Sequence, residues 1–130
     1  MMEAGRRAER TVLIVDDEAA TRALLRNTVQ GLSVPCRILE AVEGDTALEL
    51  AKQEQPDLAL VDIVLPGSST SGVLVCRELL NLRGIQVVIV TGKATDPIVE
   101  ACLSLGALEC IRKPFSVEDV RGKLERWLAG

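Results

Sequence analysis

The stretch LALVDIVLPG, Leu58 to Gly67, runs four apolar residues into a single acid, Asp62, before another apolar pair and Leu65-Pro66-Gly67. A run that is apolar at consecutive positions reads as a strand covered on both faces, and that is the habit of parallel sheets. A lone carboxylate at the end of such a strand is costly unless it opens to water or meets a cation. The question of the fold is therefore also the question of what Asp62 faces.

Similar runs recur along the chain. Strands are expected at Thr11–Val15, Cys36–Ala41, Asp57–Val61, Ile85–Val90 and Leu108–Ile111, with the β-branched IQVVIV the strongest of them. Their ends fall roughly 20 to 30 residues apart, the spacing of repeated βα units. Between them lie helical patterns. Leu24, Leu25, Thr28, Val29 and Leu32 form an apolar stripe in a first helix from about Glu18 to Gly31. Asp45 is expected to cap a second, with Ala47, Leu48 and Ala51 facing inward and Pro56 closing the unit. A third helix runs from about Gly72 to Leu82. The fourth opens at Asp96-Pro97, an expected cap followed by proline in the first turn, and the fifth carries Val117, Val120, Leu124, Trp127 and Leu128. Five such units predict an α/β fold of one domain: an open, doubly wound parallel sheet ordered 2-1-3-4-5, with helices on both faces.

Composition narrows the function. A chain of 130 residues with 48% apolar content can fill one core, and residues 1–10 read as a flexible leader before a domain at 11–130. The formal charge of −4, with one Phe, one Trp and no Tyr, argues against direct nucleic-acid binding. No apolar run is long enough to cross a membrane, and MMEAGRRAER lacks the apolar core of a signal peptide. Cys36, Cys76, Cys102 and Cys110 include no CxxC, and there is no histidine, which disfavours zinc. Buried thiols of this kind suit the cytoplasm.

In such a sheet the reactive crevice lies beyond the carboxyl ends of the strands. Reading only those ends gives Asp16 and Asp17 from VDDE, Asp62, Thr91, and Lys113. Three carboxylates on one rim repel unless a cation joins them, and carboxylates plus water suit Mg²⁺. Asp62 is then expected beside a metal, with Lys113 as a fixed positive neighbour.

The ordered set VDDE, PDLALVDIVLPG, IVTGKA and GALECIRKPF resembles the receiver domain of two-component response regulators, over about residues 11 to 128. The resemblance implies a flavodoxin-like receiver fold in which Asp62 is the phosphoacceptor, attacking the phosphoryl group of a phosphohistidine. Asp17 would bind Mg²⁺ directly and Asp16 partly through water, with the backbone carbonyl of Val64 as another ligand. Lys113 would pair with phosphoryl oxygens, Thr91 would turn its hydroxyl to the bound group beside a small Gly92, and Pro114 would follow a cis bond. The donor would be a sensor histidine kinase or a histidine phosphotransfer protein, since a chain without histidine cannot be its own. Phosphoryl transfer needs positioning and charge neutralisation, which a metal and an ammonium supply.

Three features depart from the family pattern. Cys110 stands where the family often has an aromatic switch residue. The serine-rich PGSSTSG loop is about two residues longer than the common form, a partner contact or a tolerated insertion. The fourth helix, with Ile98, Val99, Ala101, Cys102, Leu103 and Leu105, is apolar on more than one face. It is either deeply buried or part of a dimer or output surface formed with the fifth strand and helix. Two other functions compete with the switch. A receiver that no longer takes phosphate would be a plain interaction module. A Mg²⁺-dependent phosphohydrolase of the haloacid dehalogenase type would need an acid two residues after Asp62, where this chain has Val64.

Overall fold

A computed structural model describes residues 9–65 and 71–129. Five strands, β1 (Arg10–Val15), β2 (Cys36–Ala41), β3 (Leu58–Val61), β4 (Gln86–Thr91) and β5 (Glu109–Arg112), pair in parallel in the order β2-β1-β3-β4-β5. Helices α1 (Ala19–Gln30), α2 (Gly44–Glu54), α3 (Gly72–Asn81), α4 (Asp96–Leu105) and α5 (Val117–Leu128) alternate with them. The expected α/β class and strand order both hold. Residues 1–8 of the expected leader, and 66–70 of the serine-rich loop, lie outside the described residues; Arg10 belongs to β1.

The sheet divides the core in two because strand side chains alternate between its faces. On one side Leu13, Val15, Ala59, Val61, Val87 and Ile89 pack against α2, α3 and α4 residues such as Ala47, Val75, Leu79 and Cys102. On the other, Val12, Ile14, Leu58, Leu60, Val88 and Val90 meet Leu25, Val29, Val120 and Leu124 of α1 and α5. β3 is buried at every position, as its unbroken LALV requires.

Several local expectations need correction. Asp45 and Asp96 are first-turn residues rather than caps: Glu43 and Thr95 hold the extended cap positions, with no side-chain cap bond. An acid one place inside the helix still favours the dipole, so sequence alone does not separate the two places. True side-chain caps occur elsewhere, where Ser71 accepts from the Leu74 N–H and Ser116 from the Asp119 N–H. Leu24 is turned outward, 41% exposed, although its neighbours Leu25, Thr28 and Val29 are buried. In α4 only Val99 and Cys102 are buried, while Ile98, Leu103 and Leu105 are exposed. The deeply buried alternative for that helix is thereby excluded. The thiols of Cys76 and Cys102 are buried and those of Cys36 and Cys110 half-buried, all four free.

Candidate phosphoacceptor site

Parallel register sets the site. Val15 pairs with Val61 across β1 and β3, so the next residue of each strand, Asp16 and Asp62, emerges on the same rim. Backbone bonds carry this alignment past the strands: the Asp16 N–H donates to Ala41 O at 3.1 Å and the Asp62 N–H to Val15 O at 2.9 Å. Thr91 pairs with Arg112, and the Lys113 N–H donates to Thr91 O at 3.0 Å, bringing the lysine to the same edge.

Asp62 is 6% exposed and fully engaged. Its Oδ1 accepts the Thr91 hydroxyl and the Val64 N–H, each at 2.9 Å, and its Oδ2 accepts Lys113 Nζ at 2.9 Å. Lys113 also donates to Asp16 Oδ2 at 2.7 Å and to Glu18 Oε1 at 2.9 Å. The other Asp16 oxygen accepts the Glu18 N–H at 2.9 Å, and Arg22 holds the Asp16 carbonyl at 2.8 Å. The turn after β1 is thus tied down on both sides of its acid. The Lys113–Pro114 peptide is cis.

The electrostatics follow from burial. Desolvation pushes the Asp16 carboxyl above its ordinary value, opposed by its bond to Lys113. Burial alone would lower the Lys113 ammonium, but the bonds from Asp16, Asp62 and Glu18 together raise it well above the usual lysine range. That lysine is a fixed cation. The carboxylate of Glu18 is held below its usual range by the same ammonium.

Ligand oxygens of Asp16, Asp17 and Asp62 all lie within 4.8 Å of one another, with Asp17 exposed and the other two buried. This hard, all-oxygen set fits a small divalent cation with remaining water ligands. The adjoining cavity, about 490 Å³, is lined by Asp17, Glu18 and Asp62 together with Val64, Lys93 and Phe115. Gly92 lies against the lysine stem, where an added Cβ would come within 3.3 Å of Lys113 Cβ. Phe115 is half-buried and packs on the α1–α5 core while also reaching this cavity. Cys110 is half-buried against the opposite core, so no aromatic ring stands at its place in β5.

Two site residues escaped the sequence reading. Glu18 is drawn into the site by Lys113, 95 positions away. Gly72 opens α3 against the segment that follows Asp62, where an added Cβ would overlap the backbone of Ile63. A glycine at a helix start was the one signal available for it.

A family model described as the response regulator receiver domain matches residues 12–125. Among solved structures, a CheY-like receiver domain protein from Methanospirillum hungatei is 28% identical, covers 92% of this chain and 93% of its own, and superposes with a TM-score of 0.80. The receiver domain of NtrX from Brucella abortus is 27% identical over 90% of this chain and 97% of its own, with a TM-score of 0.78. A longer NtrX chain from the same organism matches at 27% identity and a TM-score of 0.81, over 93% of this chain but only 28% of its own.

Proposed function

The chain belongs to the response regulator receiver domain family, a family of regulatory phosphoacceptor domains that interact with kinases and output domains, and from that premise we propose that Asp62 accepts a phosphoryl group from a phosphohistidine in a Mg²⁺-dependent step. The observation that carries this reading is the environment of Asp62: a buried carboxylate held between the Thr91 hydroxyl and the Lys113 ammonium, with two further carboxylates beside it. A structural ion pair would need the lysine alone. In the transfer, an Asp62 oxygen forms a bond to phosphorus as the phosphorus–nitrogen bond to imidazole breaks and the ring nitrogen keeps the electron pair. Asp16, Asp17, Asp62 and the Val64 carbonyl would hold Mg²⁺, which when bound would supply charge neutralisation on the phosphoryl oxygens. Lys113 contributes a second, permanent positive charge, and Thr91 a hydroxyl already within reach of the acceptor.

The donor is a sensor histidine kinase or a histidine phosphotransfer protein, and no metabolite is turned over. Four free thiols suit a cytoplasmic location, and among the described residues no helix is long and apolar enough to cross a membrane. The α4–β5–α5 side, with Ile98, Leu103, Leu105 and Leu108 exposed, is the surface for a dimer or output partner.

Intact mass after incubation with acetyl phosphate, with and without Mg²⁺ and beside Asp62→Asn, tests the reading. One added phosphoryl group that needs both Mg²⁺ and Asp62 is the expected result. An adduct on Asp62→Asn would move the acceptor elsewhere; no adduct at all, with fast sampling, would leave an interaction module.

A further inference from the structure

We infer that Arg22, braced by Glu40, is a positioning residue that presets the Asp16–Asp17 peptide for a divalent cation, an inference that rests on the Mg²⁺ part of the phosphoacceptor reading. Asp16 stands after β1 and before α1, so neither element's ladder reaches its carbonyl. Arg22 Nη1 does, donating at 2.8 Å. The carbonyl lies in the planar peptide that joins the two acids, so this bond fixes that plane. Asp16 has further ties: its N–H donates to Ala41 O, and its carboxylate accepts from the Glu18 N–H and from Lys113. Asp17 is exposed, and among the described residues none is bonded to its carboxylate. Its place depends on the peptide from which it hangs.

Arg22 is itself held. Its Nε lies 3.3 Å from Glu40 Oε1, and the other Glu40 oxygen accepts from Arg26 at 2.9 Å. Glu40 belongs to β2, which pairs with β1, so the brace is anchored in the sheet. A guanidinium engaged through two nitrogens of one plane cannot swing without losing one of its partners. Arg26 bonds to the same glutamate and not to the turn. By charge alone Arg22 works against a bound metal, since it stands beside Asp16 and repels the cation that the acids attract. Whatever it adds to the site is added by geometry, with Glu40 balancing its charge.

The two effects have opposite signs, and a Mg²⁺ titration of the isotope-labelled full chain at fixed ionic strength, followed by amide NMR shifts, separates them. Parent, Arg22→Gln, Arg22→Met and Arg26→Met are compared. Gln puts an amide nitrogen about where Nε stands, so it can keep Glu40 but cannot reach the Asp16 carbonyl; Met loses both. Gln and Met are good helix formers, the spectrum reports the fold of each variant, and either Arg22 variant alone decides the matter. Both are expected to bind Mg²⁺ about tenfold more weakly, the low end for a group that orients a metal ligand from outside. In the metal-free chain the Glu18 amide, which donates to Asp16 Oδ1, is expected to exchange faster. Arg26→Met should stay within about twofold of the parent. Equal or tighter binding in the Arg22 variants overturns the inference, because loss of charge then decides the affinity. So does an unchanged Glu18 exchange rate, or a weakening in Arg26→Met as large as in Arg22→Met. A parent whose amides do not respond to Mg²⁺ overturns the Mg²⁺ reading, and this inference with it.

Discussion

Lys113 reaches three carboxylates because two parts of the chain deliver them to one rim, Asp16 and Glu18 from the turn after β1 and Asp62 from the end of β3. Removing the ammonium leaves the burial of Asp16 opposed only by the Glu18 N–H among the groups around it, so its carboxyl, already raised, rises further. A carboxyl with a raised folded pKa binds more protons folded than unfolded, and stability then falls as pH climbs from the unfolded value to the folded one. Lys113→Ala should therefore lose about 2 kcal/mol at pH 7 and recover much of that near pH 4.5, read by urea unfolding at both values. An equal loss at both would mean that the lysine acts through its packed stem. Asp16, Asp17, Asp62, Thr91 and Lys113 were legible because strand ends are visible as apolar runs that stop, and the topology puts those stops on one rim. Glu18 was not, since an exposed acid at a helix start looks the same whether or not a lysine from β5 arrives beside it. Gly72 was passed over for a related reason: its need for no side chain comes from the backbone of Ile63, which sequence spacing does not place.

Elements position these residues, and two of their joints are open to test. α3 can begin where it does only because Gly72 lets its first turn lie on the Ile63 backbone, one residue past Asp62. Gly72→Ala must push that turn away, with an expected loss of about 1–3 kcal/mol in denaturant unfolding and slower labelling of Asp62. Unchanged stability would mean that the turn relaxes freely. At the other joint, Arg112 of β5 donates to Ala94 O at 2.6 Å and to Asp96 at 2.7 Å, fastening the segment between β4 and α4. The pair with Asp96 is exposed and adds little to global stability. Arg112→Ala should then speed amide exchange around Lys93 to Asp96 while shifting global unfolding by less than about 1 kcal/mol. Exchange confined to the parent rate would show the segment to be held by its own turn. The periodicity of these helices could be read directly, but their ends shifted by a residue or two. A cap is defined by backbone angle, and Glu43 and Thr95 take the extended conformation while the acids that looked like caps sit just inside. Leu24 shows the same limit on a helix face, since the edge of an apolar stripe is where burial ends and the site cavity begins.

At the scale of the whole molecule, the fold was legible because a sheet covered on both faces needs strands without a polar side, and β3 and most of β4 have none. The edge strands β2 and β5 are only partly buried; β2 nonetheless runs over Cys36–Ala41 as expected, while β5 begins and ends one residue later than its apolar run suggested. What the fold buries against its own interest is negative charge at one rim. Asp16 and Asp62 stand together with Asp17 near them, and one lysine is shared among the first two and Glu18. A divalent cation bound there is bound only by the folded chain, because no other state brings β1 and β3 side by side. Binding of that kind adds RT ln(1 + [L]/Kd), about 1.4 kcal/mol at ten times the dissociation constant. Mg²⁺ should therefore raise the melting temperature by several degrees in a concentration-dependent way, while NaCl at matched ionic strength should not. Asp17 is exposed, so Asp17→Asn should melt like the parent in chelator yet respond weakly to Mg²⁺. If Na⁺ reproduced the gain, or Asp17→Asn kept it in full, the rim would be relieved by general screening rather than by a metal held between these three acids.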